Sequence, residues 1–105
     1  MNTHSFEHEL KQLAAPPPDP AARERARAVV DRARVQTEQA RSDLQRTRAL
    51  VERSVSTAQA LERAELAAQV ADRDLRAAEF QDHAVQLELD QARALLARYD
   101  EGAEA

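Results

Sequence analysis

Between Pro20 and Gly102 the chain contains neither glycine nor proline. Those are the two residues that most readily end a helix. The residues that fill the stretch are rich in Ala, Arg, Glu, Leu and Gln, which is the composition of long helices and coiled coils. A single weak place interrupts it. Ser54-Val55-Ser56-Thr57 pairs two β-branched residues with two serines. The first kind loses side-chain freedom in a helix, and the second competes for backbone hydrogen bonds. Either the helix runs straight through these four residues, as a rod, or the chain turns back there, as a hairpin.

Periodicity leaves both open. Val51, Ser54, Ala58 and Leu61 keep helical stepping across the weak place. Ahead of it a small-residue stripe runs Ala22, Ala26, Val29, Ala33, Thr37, Ala40, Leu44, Thr47, Val51. Its steps lie close to the 3.6 of a nearly straight helix. Behind it Leu61, Ala64, Ala68, Ala71, Leu75, Ala78, Asp82, Val85, Leu89, Ala92, Leu96 and Tyr99 follow strict 3-4 spacing. That is a heptad seam. Asp82 is its one charged member, a residue type that sets register at a cost in stability. A second, weaker stripe on the same segment runs Val70, Ala77, Phe80, Ala84, Leu87, Ala94. Two stripes on one helix imply more than one neighbour, and self-association is expected through Val70, Ala77, Phe80, Ala84 and Leu87.

Charge and capping lean towards the hairpin. From Ala21 to Arg53 nine Arg face five acids, a net +4; from Ser54 to Ala105 five Arg face eleven acids, a net −6. Folded back, the two segments oppose unlike charges, each exposed pair contributing a few tenths of a kcal/mol. Ser56 and Gln59 have the spacing of a capping box, which opens a new helix. At the other end Asp19-Pro20 is a helix start, with Asp as the cap and Pro in the first helical position. Before it, Phe6, Leu10 and Leu13 mark a short amphipathic helix, joined by the stiff run Pro16-Pro17-Pro18.

The expected fold is therefore all-α: a long antiparallel two-helix coiled-coil hairpin with a short N-terminal amphipathic helix. Residues 1–20 form the short helix and Pro-rich lead-in. Residues 21–101 form the hairpin, with helices over 21–53 and 57–101 and a tip at 54–56. Residues 102–105 form a frayed tail, with Gly102 as the stop. On geometry, ~1.5 Å per residue makes the second helix longer than the first. Its last turns, at Leu89, Leu95, Leu96 and Tyr99, would then lie beside Phe6, Leu10 and Leu13.

Several function classes find no support. His4-x-x-Glu7-His8 matches a zinc-peptidase pattern, but five residues near a terminus have no core to shape a cleft. No metal, cofactor or catalytic residue is expected, and the chain is not read as an enzyme. His83 stands alone as a solvated or interface residue. The Arg-rich first helix lacks lysine and interleaved aromatics and carries five acids, so it does not read as a nucleic-acid surface. No apolar run approaches the roughly 20 residues of a membrane span, and the first residues lack the basic and apolar regions of a signal peptide. Without cysteine, the redox compartment is not legible.

From about Leu13 to Arg98 the chain resembles the α-helical hairpin of HlyD-type periplasmic adaptor (membrane-fusion) proteins. The resemblance rests on the order of "LAAPPPDPAARERARAVV", "DLQRTRALVERSVSTAQALERAELAA", "LRAAEF" and "LELDQARALL". Such adaptors carry an Arg-x3-Leu-x6-Ser pattern at the tip, and Arg46, Leu50 and Thr57 fall at those spacings. Thr stands for Ser, Ser54 stands where a turn glycine is common, and Ala60 replaces an acid. The resemblance implies a docking module in a bacterial efflux or secretion system, linking an inner-membrane transporter to an outer-membrane channel. It implies a periplasmic location and lateral packing of several copies. The docking tip would comprise Arg46, Leu50, Arg53, Ser54, Val55, Ser56 and Thr57. Adaptors of this type also contain lipoyl-like and β-barrel domains, which these residues do not match. The expectation is an excised hairpin, a truncated gene product or a stand-alone relative. The rival expectation is a free-standing structural coiled coil that oligomerises and docks nothing.

Overall fold

A computed structural model describes residues 19–104 and resolves the question at Ser54–Thr57 in favour of the hairpin. Two helices, α1 (Pro20–Glu52) and α2 (Ala58–Glu104), pack along one another, joined by a five-residue connection. The expected short helix, the proline run and the His4–His8 pattern lie outside the described residues. So does the expected cover of Phe6, Leu10 and Leu13 over the end of α2.

α1 begins as its sequence dictates. Asp19 is in an extended conformation, and its carboxylate Oδ1 accepts from the Ala21 N–H at 3.0 Å, with Pro20 in the first turn. α2 begins at Thr57, whose Oγ1 accepts from the Ala60 N–H at 3.1 Å. The cap is therefore Thr57 and not the expected Ser56–Gln59 box. Gly102 does not stop α2, which continues to Glu104.

The seam is built from small residues. Ala26, Val30, Ala33 and Thr37 of α1 are buried against Ala68, Ala78, Val85 and Leu89 of α2. One correction concerns α1. Val30 faces inward at 5% exposure, and Val29 faces outward at 51%. With Val30 in place, Ala26, Val30, Ala33, Thr37, Ala40, Leu44, Thr47 and Val51 step strictly by four and three. α1 thus has the same heptad register as α2, not the straighter 3.6 pattern that Val29 suggested. Two helices of matched period stay in contact along their length, which a mismatched pair would not.

Two cross-helix bonds fix the register. The Thr37 hydroxyl lies 2.8 Å from the Ala33 carbonyl of its own helix and 3.1 Å from the Ala71 carbonyl opposite. Arg41 Nη2 donates to Asp72 Oδ1 at 2.8 Å. Around that ion pair Arg27, Arg34, Arg41 and Arg48 recur every seven residues, and so do Glu65, Asp72 and Glu79 on α2. The register that pairs Arg41 with Asp72 sets Arg34 level with Glu79 and Arg48 level with Glu65. The charge reversal between the two segments thus lines one side of the hairpin.

α1 starts level with about the fourth turn from the end of α2. The turns of α2 beyond it leave Leu96 and Tyr99 55% and 77% exposed, although both continue the seam. The seam also holds an unpaired polar atom. Asp82 is half-buried and its Oδ1 is buried without a hydrogen-bond partner.

Candidate docking tip

α1 ends in a tight, specific closure. Arg53 caps the helix at φ −86° and ψ 4°. The next residue, Ser54, takes a left-handed conformation at φ 59°. That turns the chain so that the Ser54 N–H reaches the Val51 carbonyl at 2.9 Å and the Val55 N–H reaches the Leu50 carbonyl at 2.8 Å. This pair of bonds is a Schellman motif. The Ser56 N–H adds a second, longer bond to the Leu50 carbonyl at 3.2 Å. Two orphan carbonyls of the helix end, Leu50 and Val51, are thereby satisfied without glycine, at the cost of a left-handed serine.

The closure carries the sequence-predicted residues to one end of the molecule. Val55 stands at the apex, 69% exposed. Arg53, Ser54 and Thr57 are exposed beside it, and Ser56 is half-buried. Arg46, Leu50 and Arg53 step by four and three, so they share one edge of α1. Leu50 is half-buried and supports the turn through its carbonyl. Arg46 lies about two helical turns below Arg53, roughly 10 Å at 1.5 Å per residue. Its guanidinium is tethered at 3.7 Å to Asp43 Oδ1, and its side chain is 67% exposed. Asp43 was not singled out from the sequence; its place three residues before Arg46 is the signal that identifies it.

The arrangement offers a short apolar apex, exposed hydroxyls and two guanidiniums with free donors. Such a set suits recognition of carbonyls or carboxylates on another protein. No group of three His, Cys, Asp or Glu able to hold a metal occurs among the described residues. No described helix is long and apolar enough to cross a membrane.

The second stripe lies apart from the tip. Val70, Phe80 and Leu87 are 47%, 74% and 47% exposed, Ala77 is exposed and Ala84 half-buried. All but Ala84 are exposed, so the stripe faces away from the intramolecular seam. No family model matches the chain, and no curated protein and no solved structure matches it.

Proposed function

We propose that the hairpin is a docking strut of a periplasmic adaptor. In this reading its tip engages an outer-membrane channel, and its far end is joined to parts that contact an inner-membrane transporter. The observation that carries the reading is the turn at Leu50–Thr57. A tip needed only to reverse the chain has no use for an exposed Val55 flanked by Arg53 and a tethered Arg46. Arg46 would donate hydrogen bonds to channel carbonyls or carboxylates, Leu50 and Val55 would meet an apolar groove, and Thr57 would hold the turn in shape. The spacing of Arg46, Leu50 and Thr57, which resembles that of HlyD-type adaptors, supports the same assignment.

The experiment is photo-crosslinking from Val55 in the cell that makes the chain, with the captured protein identified. Capture of an outer-membrane channel, weakened by R46A, supports the reading. Capture of nothing, or of a channel with equal efficiency in R46A, overturns it.

A second reading is a structural coiled coil that only self-associates. The outward stripe at Val70, Phe80 and Leu87 favours it. Under this reading R46A and V55A change nothing measurable, whereas substitutions in the stripe change the oligomeric state.

A further inference from the structure

The two broad sides of the hairpin are chemically opposite. One side holds the charged rows around Arg41 and Asp72, and neither row includes a valine, leucine or phenylalanine. The other side holds the exposed Val29, Val35, Leu66, Val70, Phe80 and Leu87. Val35, Leu66 and Val70 line a shallow depression between the helices, floored by Ala40, Ala64 and Ala67, and Asp43, Arg63 and Asp74 line it as well. Phe80 and Leu87 follow Leu66 at multiples of seven residues, and Val29 precedes Gln36 of the same depression by seven. Heptad spacing keeps residues on one side of a coiled coil. The apolar side thus extends from Val29 and Leu87 to Leu66, with Arg73 standing in the same row between Leu66 and Phe80.

We propose that this face is an interface between two copies of the chain. The copies meet face to face about a two-fold axis parallel to the helices. α1 of each lies on α2 of the other, and both tips point the same way. The result is a four-helix bundle in which every neighbouring helix is antiparallel. The proposal is independent of what the tip binds.

Three observations select a second copy in this orientation. The first is area. α1 is about 50 Å long at 1.5 Å per residue, and two helices side by side are about 20 Å wide. The face offers on the order of 1,000 Å² per copy, above the roughly 800 Å² per partner of a standard stable interface. The second is charge. Arg25, Arg32, Arg46 and Arg53 recur on the α1 edge of this face at multiples of seven. Asp74 and Glu88 stand on its α2 edge, fourteen residues apart, with Arg63 and Arg73 on the same helix face. With tips together, the α1 arginines meet the edge that carries the acids. With tips opposed, α1 meets α1 and the arginine row faces itself, which like-charge repulsion disfavours. The third is shape. Most of the large side chains lie on α2, at Leu66, Val70, Phe80 and Leu87, while the outer edge of α1 presents the row Ala28, Val35, Ser42 and Ala49 beside its arginines. Phe80 is level with the Ala28–Ala33 turns, by the register of Thr37 with Ala71 and Arg41 with Asp72. It would meet an arginine stem and ring-facing guanidinium from Arg32 of the second copy.

The test is sedimentation equilibrium of the full chain, with electron–electron distance measurement between nitroxides on V55C. The expected result is a dimer with an intermolecular tip-to-tip distance under about 25 Å, from two helix diameters. The F80E variant is expected to be monomeric with unchanged helix content by circular dichroism, since Phe80 is 74% exposed in the single hairpin. Q69E, on the charged side, is expected to remain dimeric. A wild-type chain that stays monomeric at all concentrations overturns the proposal. So does a dimer whose tips are about 50 Å or more apart, or one that F80E leaves intact.

Discussion

Thr37 and Ala71 are linked across the seam by the Thr37 hydroxyl, whose single proton is shared between the Ala33 carbonyl of its own helix at 2.8 Å and the Ala71 carbonyl opposite at 3.1 Å. Thr37 is 2% exposed, the most buried side chain of the hairpin. Along a seam made mostly of alanine, sliding one helix past the other changes little apolar contact. A directional bond at its centre resists that slide. T37V keeps the shape and removes the donor, so it is expected to lower unfolding stability by about 0.5–1.5 kcal/mol, the net contribution of one buried hydrogen bond. Urea titration followed by circular dichroism reads this directly. Equal midpoints for T37V and wild type would show that the bond locks nothing.

Ser54 is the one described non-glycine residue at positive φ. A side chain there meets its own backbone, and glycine does not. S54G is expected to raise stability by about 0.5–1 kcal/mol, and S54V, β-branched at the same φ, to lower it. The contrast between the two variants is the measurement. Two variants of equal stability would mean that the left-handed turn is not held in solution.

Thr57 caps α2 through its hydroxyl. T57A is expected to cost about 1 kcal/mol, the usual loss for an N-cap, and T57S to retain most of it. S56A, at the residue first expected to cap, is expected to stay within a few tenths of wild type. A larger loss in S56A than in T57A would reverse the assignment of the cap.

Asp82 occupies a seam position with one carboxylate oxygen buried and unpartnered. Leaving such an atom unpaired costs free energy that a small apolar side chain does not. D82A is expected to stabilise the hairpin by about 1 kcal/mol. Destabilisation instead would assign Asp82 a partner of its own.

The outline of this fold was legible in the sequence because heptad spacing is a local signal. The α2 seam from Leu61 to Ala92 faces inward as its period implies, and Asp19-Pro20 opens α1. The α1 seam was less legible at Val29-Val30. Two adjacent valines fit the stripe equally well until the partner helix shows which of them faces it. Leu96 and Tyr99 continue the seam pattern beyond the start of α1, and no local pattern records where the partner begins. The tip was legible as a break in propensity and in charge. Its cap was assigned to Ser56 because the Ser56–Gln59 spacing fits a box, whereas the Schellman closure sets the helix start one residue later. Asp43 at the base of the tip was legible from its place three residues before Arg46, whereas the apolar side around Val35 and Leu66 emerges only when both helices are set in register.

The reversal at Arg53–Thr57 underlies both the docking tip and the paired faces. The most direct test places nitroxides on Q45C and Q69C, two exposed positions 24 residues apart on either side of the turn. The hairpin predicts an intramolecular separation under about 20 Å, from one interaxial spacing plus a helix diameter. A distance near 36 Å, the length of 24 residues of unbroken helix at ~1.5 Å each, would contradict it.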